Sequence, residues 1–132
     1  MKFLIVNRHR EDVVGGSELQ CDLLARELGA RGHAVSYAVM QSRRAQYASP
    51  YACMPLDSPL ALAFRRVLRA TRPDVVYWRF NKHHLLACAL QARLAGATLV
   101  FASSHDDDTR AWGGPAARGA RATGRGIRGL AA

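Results

Sequence analysis

KFLIVNRHREDVVGGSELQCDLLARELGARGHAVSYAVM, residues 2–40, decides the fold. Lys2 to Asn7 (KFLIVN) is an almost continuously apolar run, the pattern of a strand buried on both faces. A charged loop leads to Gly15-Gly16, and Ser17 is placed to cap a helix that runs to about Arg31. Cys21 and Leu24 are three apart, Leu24 and Leu28 four apart, so one stripe of that helix faces a core. Gly32 stops it, and Ala34 to Met40 (AVSYAVM) forms a second strand.

The alternation continues downstream. Gln41 to Ser49 is polar and irregular, and Tyr51 to Leu56 is a short third strand. Ser58-Pro59 starts a second helix, a cap residue followed by Pro at the first helical position. Leu60, Phe64, Val67 and Leu68 repeat with a helical period there, while Arg65, Arg66, Arg69 and Arg72 fall mainly on the wet side. Pro73 ends it. Val75 to Phe80 (VVYWRF) is a fourth strand, Lys82 to Ala95 a third helix carrying Leu86, Leu90 and Leu94 and closed by Gly96, and Ala97 to Ala102 a fifth strand. Strands alternating with helices require crossover connections, hence a parallel sheet with helices on its faces. The expectation is an α/β, Rossmann-like doubly wound sheet of about five strands and three helices. In such sheets ligands bind beyond the carboxyl ends of the strands.

Composition sets the limits. The 132 residues make about one domain and carry a formal net charge of +9. The charge is uneven: the first 109 residues hold 14 Lys and Arg against 10 Asp and Glu, and from Arg110 onward there are five Arg and no acid. Residues 111–132 are nearly all Gly, Ala and Arg, without periodicity, and are expected to stay disordered because they bury too little to offset ordering entropy. They also resemble a GC-rich gene read past a frameshift. No aromatic platform accompanies the basic tail, so no specific nucleic acid partner is expected.

The odd, widely spaced Cys21, Cys53 and Cys88 exclude a disulfide scaffold and a standard zinc site. Buried thiols in a reducing compartment are expected. No stretch approaches a membrane span. A cytoplasmic protein follows, with peripheral work at the inner membrane surface as a further option. No cofactor and no metal is expected.

Gly15-Gly16 lets a backbone approach a phosphate where a helix start offers free N–H groups and a positive dipole end; a simple turn would use the same residues. It is not the dinucleotide fingerprint. The third glycine is missing, and Gln41, Ser42, Arg43 and Arg44 follow strand two where an acid is needed. Arg79, Asn81, Lys82, His83 and His84 follow strand four at the ligand-facing edge and suit a polar or phosphorylated acceptor, or else form an exposed first helical turn. Arg8, His9 and Arg10 reach the same edge. Asp106, Asp107 and Asp108 can bind hydroxyls or a cation, or face water.

GGSELQCDLLARELGARGHAVSYAV (15–39) and PDVVYWRFNKHHLLACALQARLAGATLVFASSHD (73–106) together resemble the family 4 retaining glycosyltransferases of two-domain GT-B architecture. The first segment matches a Gly-Gly loop and a "LARELAARGHEV"-like phrase, the second a "PDVVH" strand followed by a helix and a strand ending in a His. The resemblance covers about residues 1–110. It implies an N-terminal, acceptor-side domain over 1–110 and a nucleotide-sugar donor whose diphosphate lies against Gly15 and Gly16. It also implies a sugar or lipid-linked acceptor, and a catalytic role for His105 near the reacting sugar, through a hydrogen bond to a donor hydroxyl or through local polarity. Arg79, Asn81 and Asp106, placed at the ligand-facing edge, are the candidate acceptor contacts. The family needs a second Rossmann-like lobe for the donor phosphates, and nothing after Asp108 can build one. The chain is therefore expected to be inactive alone, with a separate donor-domain chain as a partner if the enzyme is split. The other reading is a non-catalytic nucleotide- or sugar-binding module on the same fold.

Overall fold

A computed structural model describes residues 1–8, 15–40, 50–79 and 84–103. The elements, in order, are β1 (Lys2–Asn7), α1 (Gly16–Ala30), β2 (Ala34–Val39), β3 (Ala52–Pro55), α2 (Leu60–Thr71), β4 (Val75–Trp78), α3 (Leu85–Leu94) and β5 (Thr98–Phe101). The strands form one sheet in the order β3-β2-β1-β4-β5, and every neighbouring pair is parallel. The five strands and three helices of the expected Rossmann-like sheet are all present.

Strand alternation divides the core into two layers. Leu4, Val6, Ala38, Val76 and Trp78 point to the side where α2 and α3 contribute Phe64, Val67, Leu68, Leu85, Cys88 and Ala92. Ile5, Tyr37 and Val39 point the other way, against Cys21 and Ala25 of α1. β1 is central and covered on both faces, which is why its sequence is apolar almost throughout. Trp78 and Phe64 meet edge to face, with centroids 5.4 Å apart and planes at 88°, an arrangement favoured by the ring quadrupoles.

Each helix ends in a left-handed residue. Gly32 and Gly96 both have φ 80. His33 N–H donates to the Leu28 carbonyl at 3.0 Å and Ala97 N–H to that of Ala92 at 2.9 Å, which closes Schellman-type ends on α1 and α3. On α2 the position falls to Arg72 (φ 44), a side chain in a conformation glycine adopts without penalty.

Four sequence-based expectations are corrected. Ser17 does not cap α1: Gly15 holds that position with no side-chain bond, and the Ser17 hydroxyl donates to Glu18 Oε2 at 2.7 Å. Pro59, rather than Ser58, is the cap residue of α2. The leucines at 86, 90 and 94 do not face the core, because α3 buries Leu85, Cys88 and Ala92 instead. Cys53 is exposed on β3, an edge strand.

Candidate functional site at the carboxyl edge

The chain leaves β1 through α1 to build β2 and β3 on one side, then returns to lay β4 on the other side of β1. Successive connections therefore diverge at the β1/β4 boundary, which opens a crevice beyond the carboxyl ends of these two strands. Asn7 and Arg8 reach it from β1, Arg79 from β4, and Gly15, Gly16 and Ser17 from the start of α1.

The backbone amide of Arg79 donates to the Val6 carbonyl at 2.8 Å, continuing the ladder one residue past β4. Val76 and Trp78 face the α2/α3 layer, so alternation turns the side chain of Arg79 to the α1 side. Its charge acts there on Cys21. Burial dominates and pushes the Cys21 thiol up to about 11; a hydrogen bond with Tyr37 and the Arg79 charge pull it down, and the Glu18 carboxylate adds to the rise. Cys21 is thus a protonated thiol at neutral pH, not a nucleophile. Arg79 Nε is buried and has no hydrogen-bond partner among the described residues. A buried donor left unmet costs about 1–3 kcal/mol, so this nitrogen calls for a partner such as an ordered water or another polar atom.

Asn7 is fully buried at the end of β1. Its Oδ1 accepts from the Arg8 amide at 2.8 Å, and its Nδ2 points at the Tyr37 hydroxyl at 3.5 Å. These contacts set the direction in which the chain leaves the strand. The aromatic ring of Tyr37 stacks on Tyr51 at 5.4 Å. Tyr51 Oη donates to Asp22 Oδ1 at 2.5 Å, and Arg26 Nε donates to Asp22 Oδ2 at 2.8 Å. This belt, buried at Tyr37, Tyr51 and Asp22 and exposed at Arg26, holds α1 against β2 and the start of β3.

The two glycines differ. At Gly15 an added Cβ would collide with Glu18 Oε2, because that buried carboxylate folds back over the helix start. At Gly16 an added Cβ meets nothing within 4 Å among the described residues. Packing accounts for a glycine at 15 but not at 16, and glycine at a helical position is less stable than alanine by about 0.5–1 kcal/mol. Gly16 lies in the first turn of α1, whose leading N–H groups have no partner within the helix, and a helix start of this kind favours an anion.

Gly15, Gly16 and Arg79 are thus brought to one edge of the sheet. Asn81, His105 and Asp106 lie outside the described residues, as does the expected domain boundary at 110. Sequence reasoning assigned no role to Asn7 or Glu18. An Asn ending an apolar strand, and a Glu three residues after a helix cap, were the available signals.

A half-open cleft of about 490 Å³ lies elsewhere, between Arg26, Gly29, His33, Val35 and Tyr51. It sits at the amino ends of β2 and β3, opposite the switch point, and it lacks the exposed helix start and the unmet donor. Among the described residues no three His, Cys, Asp or Glu side chains are grouped to hold a metal, and no helix is long and apolar enough to cross a membrane.

Comparison with curated proteins finds no match. A family model does match: Glycosyltransferase Family 4 aligns with residues 14–131, from the turn before α1 through the segment beyond β5. Since that alignment takes in the Gly15-Gly16 turn, all three helices and four of the five parallel strands, the chain belongs to Glycosyltransferase Family 4.

Proposed function

We propose that residues 1–110 form the acceptor-side lobe of a two-lobed GT-B sugar transferase, which moves a sugar from a nucleotide-sugar donor to a sugar or lipid-linked acceptor. The observation that carries this reading is the pairing, at one switch point, of a glycine helix start and a buried guanidinium nitrogen that, among the described residues, meet no side chain and no acceptor respectively. Gly16 lets the donor diphosphate come close to the N-terminal amides of α1. Arg79 supplies a charged donor to an anionic or polar group of the acceptor. In this reading Asn81 and Asp106 add acceptor contacts, and His105 hydrogen-bonds a hydroxyl of the donor sugar near the reacting carbon. Gly15 has the local task of making room for Glu18.

One lobe is not enough for the chemistry. As the glycosidic phosphate bond breaks, charge grows on the leaving diphosphate and must meet preorganised donors or cations. One helix start supplies only part of that field, and Glu18 adds an opposing charge beside it. The purified 132-residue chain is therefore expected to transfer no sugar from a panel of nucleotide sugars, and to do so once a donor lobe is supplied in trans or by fusion. Robust turnover by this chain alone would contradict the two-lobe requirement. Tight binding of a nucleoside diphosphate, with no transfer under any complementation, would favour a binding module instead.

A further inference from the structure

α3 presents a leucine stripe to the outside. Leu86, Leu90 and Leu94, spaced four apart, are 77%, 58% and 79% exposed. The buried face of the same helix is made by Leu85, Cys88 and Ala92, so the stripe points away from the sheet. Together these leucines leave a continuous strip of apolar surface in water, and covering it would be favourable. α2 packs beside α3 on the same side of the sheet. Its outer face carries exposed Leu62 together with Arg65, Arg66 and Arg69. Neither helix contains an acidic residue (LALAFRRVLRAT and LLACALQARL).

We infer that the outer face of α2 and α3 docks on an anionic lipid surface. The two helices lie side by side with their outer faces turned the same way, and this presents leucines along α3 and arginines along α2. That is the composition of an interfacial helix pair: leucines enter the headgroup and acyl boundary, and arginine stems lie along it with their heads among lipid phosphates. A second copy of the chain is a poorer occupant. It would set arginines against arginines, and neither helix has a carboxylate to pair them.

The test is sedimentation of the full 132-residue chain with vesicles of phosphatidylcholine alone and of phosphatidylcholine mixed with phosphatidylglycerol. The chain is expected to sediment with the mixed vesicles only. Leu90→Glu with Leu94→Glu lowers partitioning about tenfold or more, and each of Arg65→Gln and Arg69→Gln lowers it about fivefold. Far-UV circular dichroism verifies that each variant is folded. A variant with Arg118, Arg121, Arg125 and Arg128 changed to Gln separates this surface from the basic C-terminal segment and is expected to keep sedimenting. Any of three results overturns the proposal: no binding to the mixed vesicles, binding that survives the leucine and arginine substitutions, or binding lost only in the C-terminal variant. A dimer that Leu90→Glu dissociates, with no vesicle binding, would also overturn it, in favour of self-association.

Discussion

Arg79 is tied to Val6 by a backbone hydrogen bond of 2.8 Å, and this single rung places a guanidinium at the mouth between β1 and β4, its buried Nε without an acceptor among the described residues. The unmet donor makes Arg79 a site where stability and function pull in opposite directions. Replacing Arg79 by Met removes the buried donor and keeps the aliphatic packing. The expected result is a gain of about 1 kcal/mol in urea unfolding. In the complemented transferase, kcat/KM falls about 10²-fold or more, as on removal of a charged donor at a reacting centre. Loss of stability together with unchanged transfer would remove Arg79 from the site.

The glycines at the start of α1 separate in the same way. Gly16→Ala is expected to raise stability by about 0.5–1 kcal/mol and to weaken nucleoside diphosphate binding. Gly15→Ala is expected to cost only a few tenths of a kcal/mol, about the size of an ordinary surface substitution, because the atom it meets is the tip of the flexible Glu18 side chain, which can turn aside at the expense of its bond to Ser17. In a Glu18→Ala background the Gly15→Ala cost should vanish, and a double-mutant cycle measures that coupling.

At the end of α2 the left-handed Arg72 invites a simple substitution. Arg72→Gly relieves a conformation that costs a non-glycine residue about 1 kcal/mol. A gain of a few tenths to about 1 kcal/mol in thermal or urea unfolding is expected, with no effect at the carboxyl edge.

The cysteines give a pH signature. Burial raises the thiols of both Cys21 and Cys88 from 9.0 to about 11. Between pH 9 and 11 the unfolded chain therefore loses thiol protons that the folded chain keeps. The stabilisation present below pH 9 is lost as pH rises through this window, by at most about 1.4 kcal/mol per pH unit for each thiol. Urea unfolding at pH 8 and pH 10 should show a smaller loss in Cys88→Ala than in the parent. At pH 8 the exposed Cys53 should react with a thiol reagent well before the two buried ones.

Much of this architecture was legible in the residues. KFLIVN reads as a central strand because both its faces are buried, and α2 reads correctly because its apolar positions (Leu60, Phe64, Val67 and Leu68) and its arginines occupy opposite sides. α3 misled because it carries two apolar stripes. Periodicity favours the large residues at 86, 90 and 94, yet close packing on the sheet selects the smaller Cys88 and Ala92 beside Leu85. Ser17 looked like a cap because its type suits one, but its hydroxyl is taken by Glu18. The pairing of Gly16 with Arg79 follows from strand order, since they lie 63 positions apart in the chain and only the placement of β4 beside β1 joins them. Nothing local in the sequence marks the buried Arg79 Nε or the different tasks of Gly15 and Gly16.

The claim on which the rest depends is that ligands enter at the carboxyl edge between β1 and β4. The most direct measurement is a titration of the isotope-labelled chain with a nucleoside diphosphate, followed by amide chemical shifts. The account predicts shifts centred on Gly15, Gly16 and Ser17, with little change at Arg26, His33 and Tyr51. Shifts concentrated around those last three, in the cleft at the opposite edge of the sheet, would contradict it.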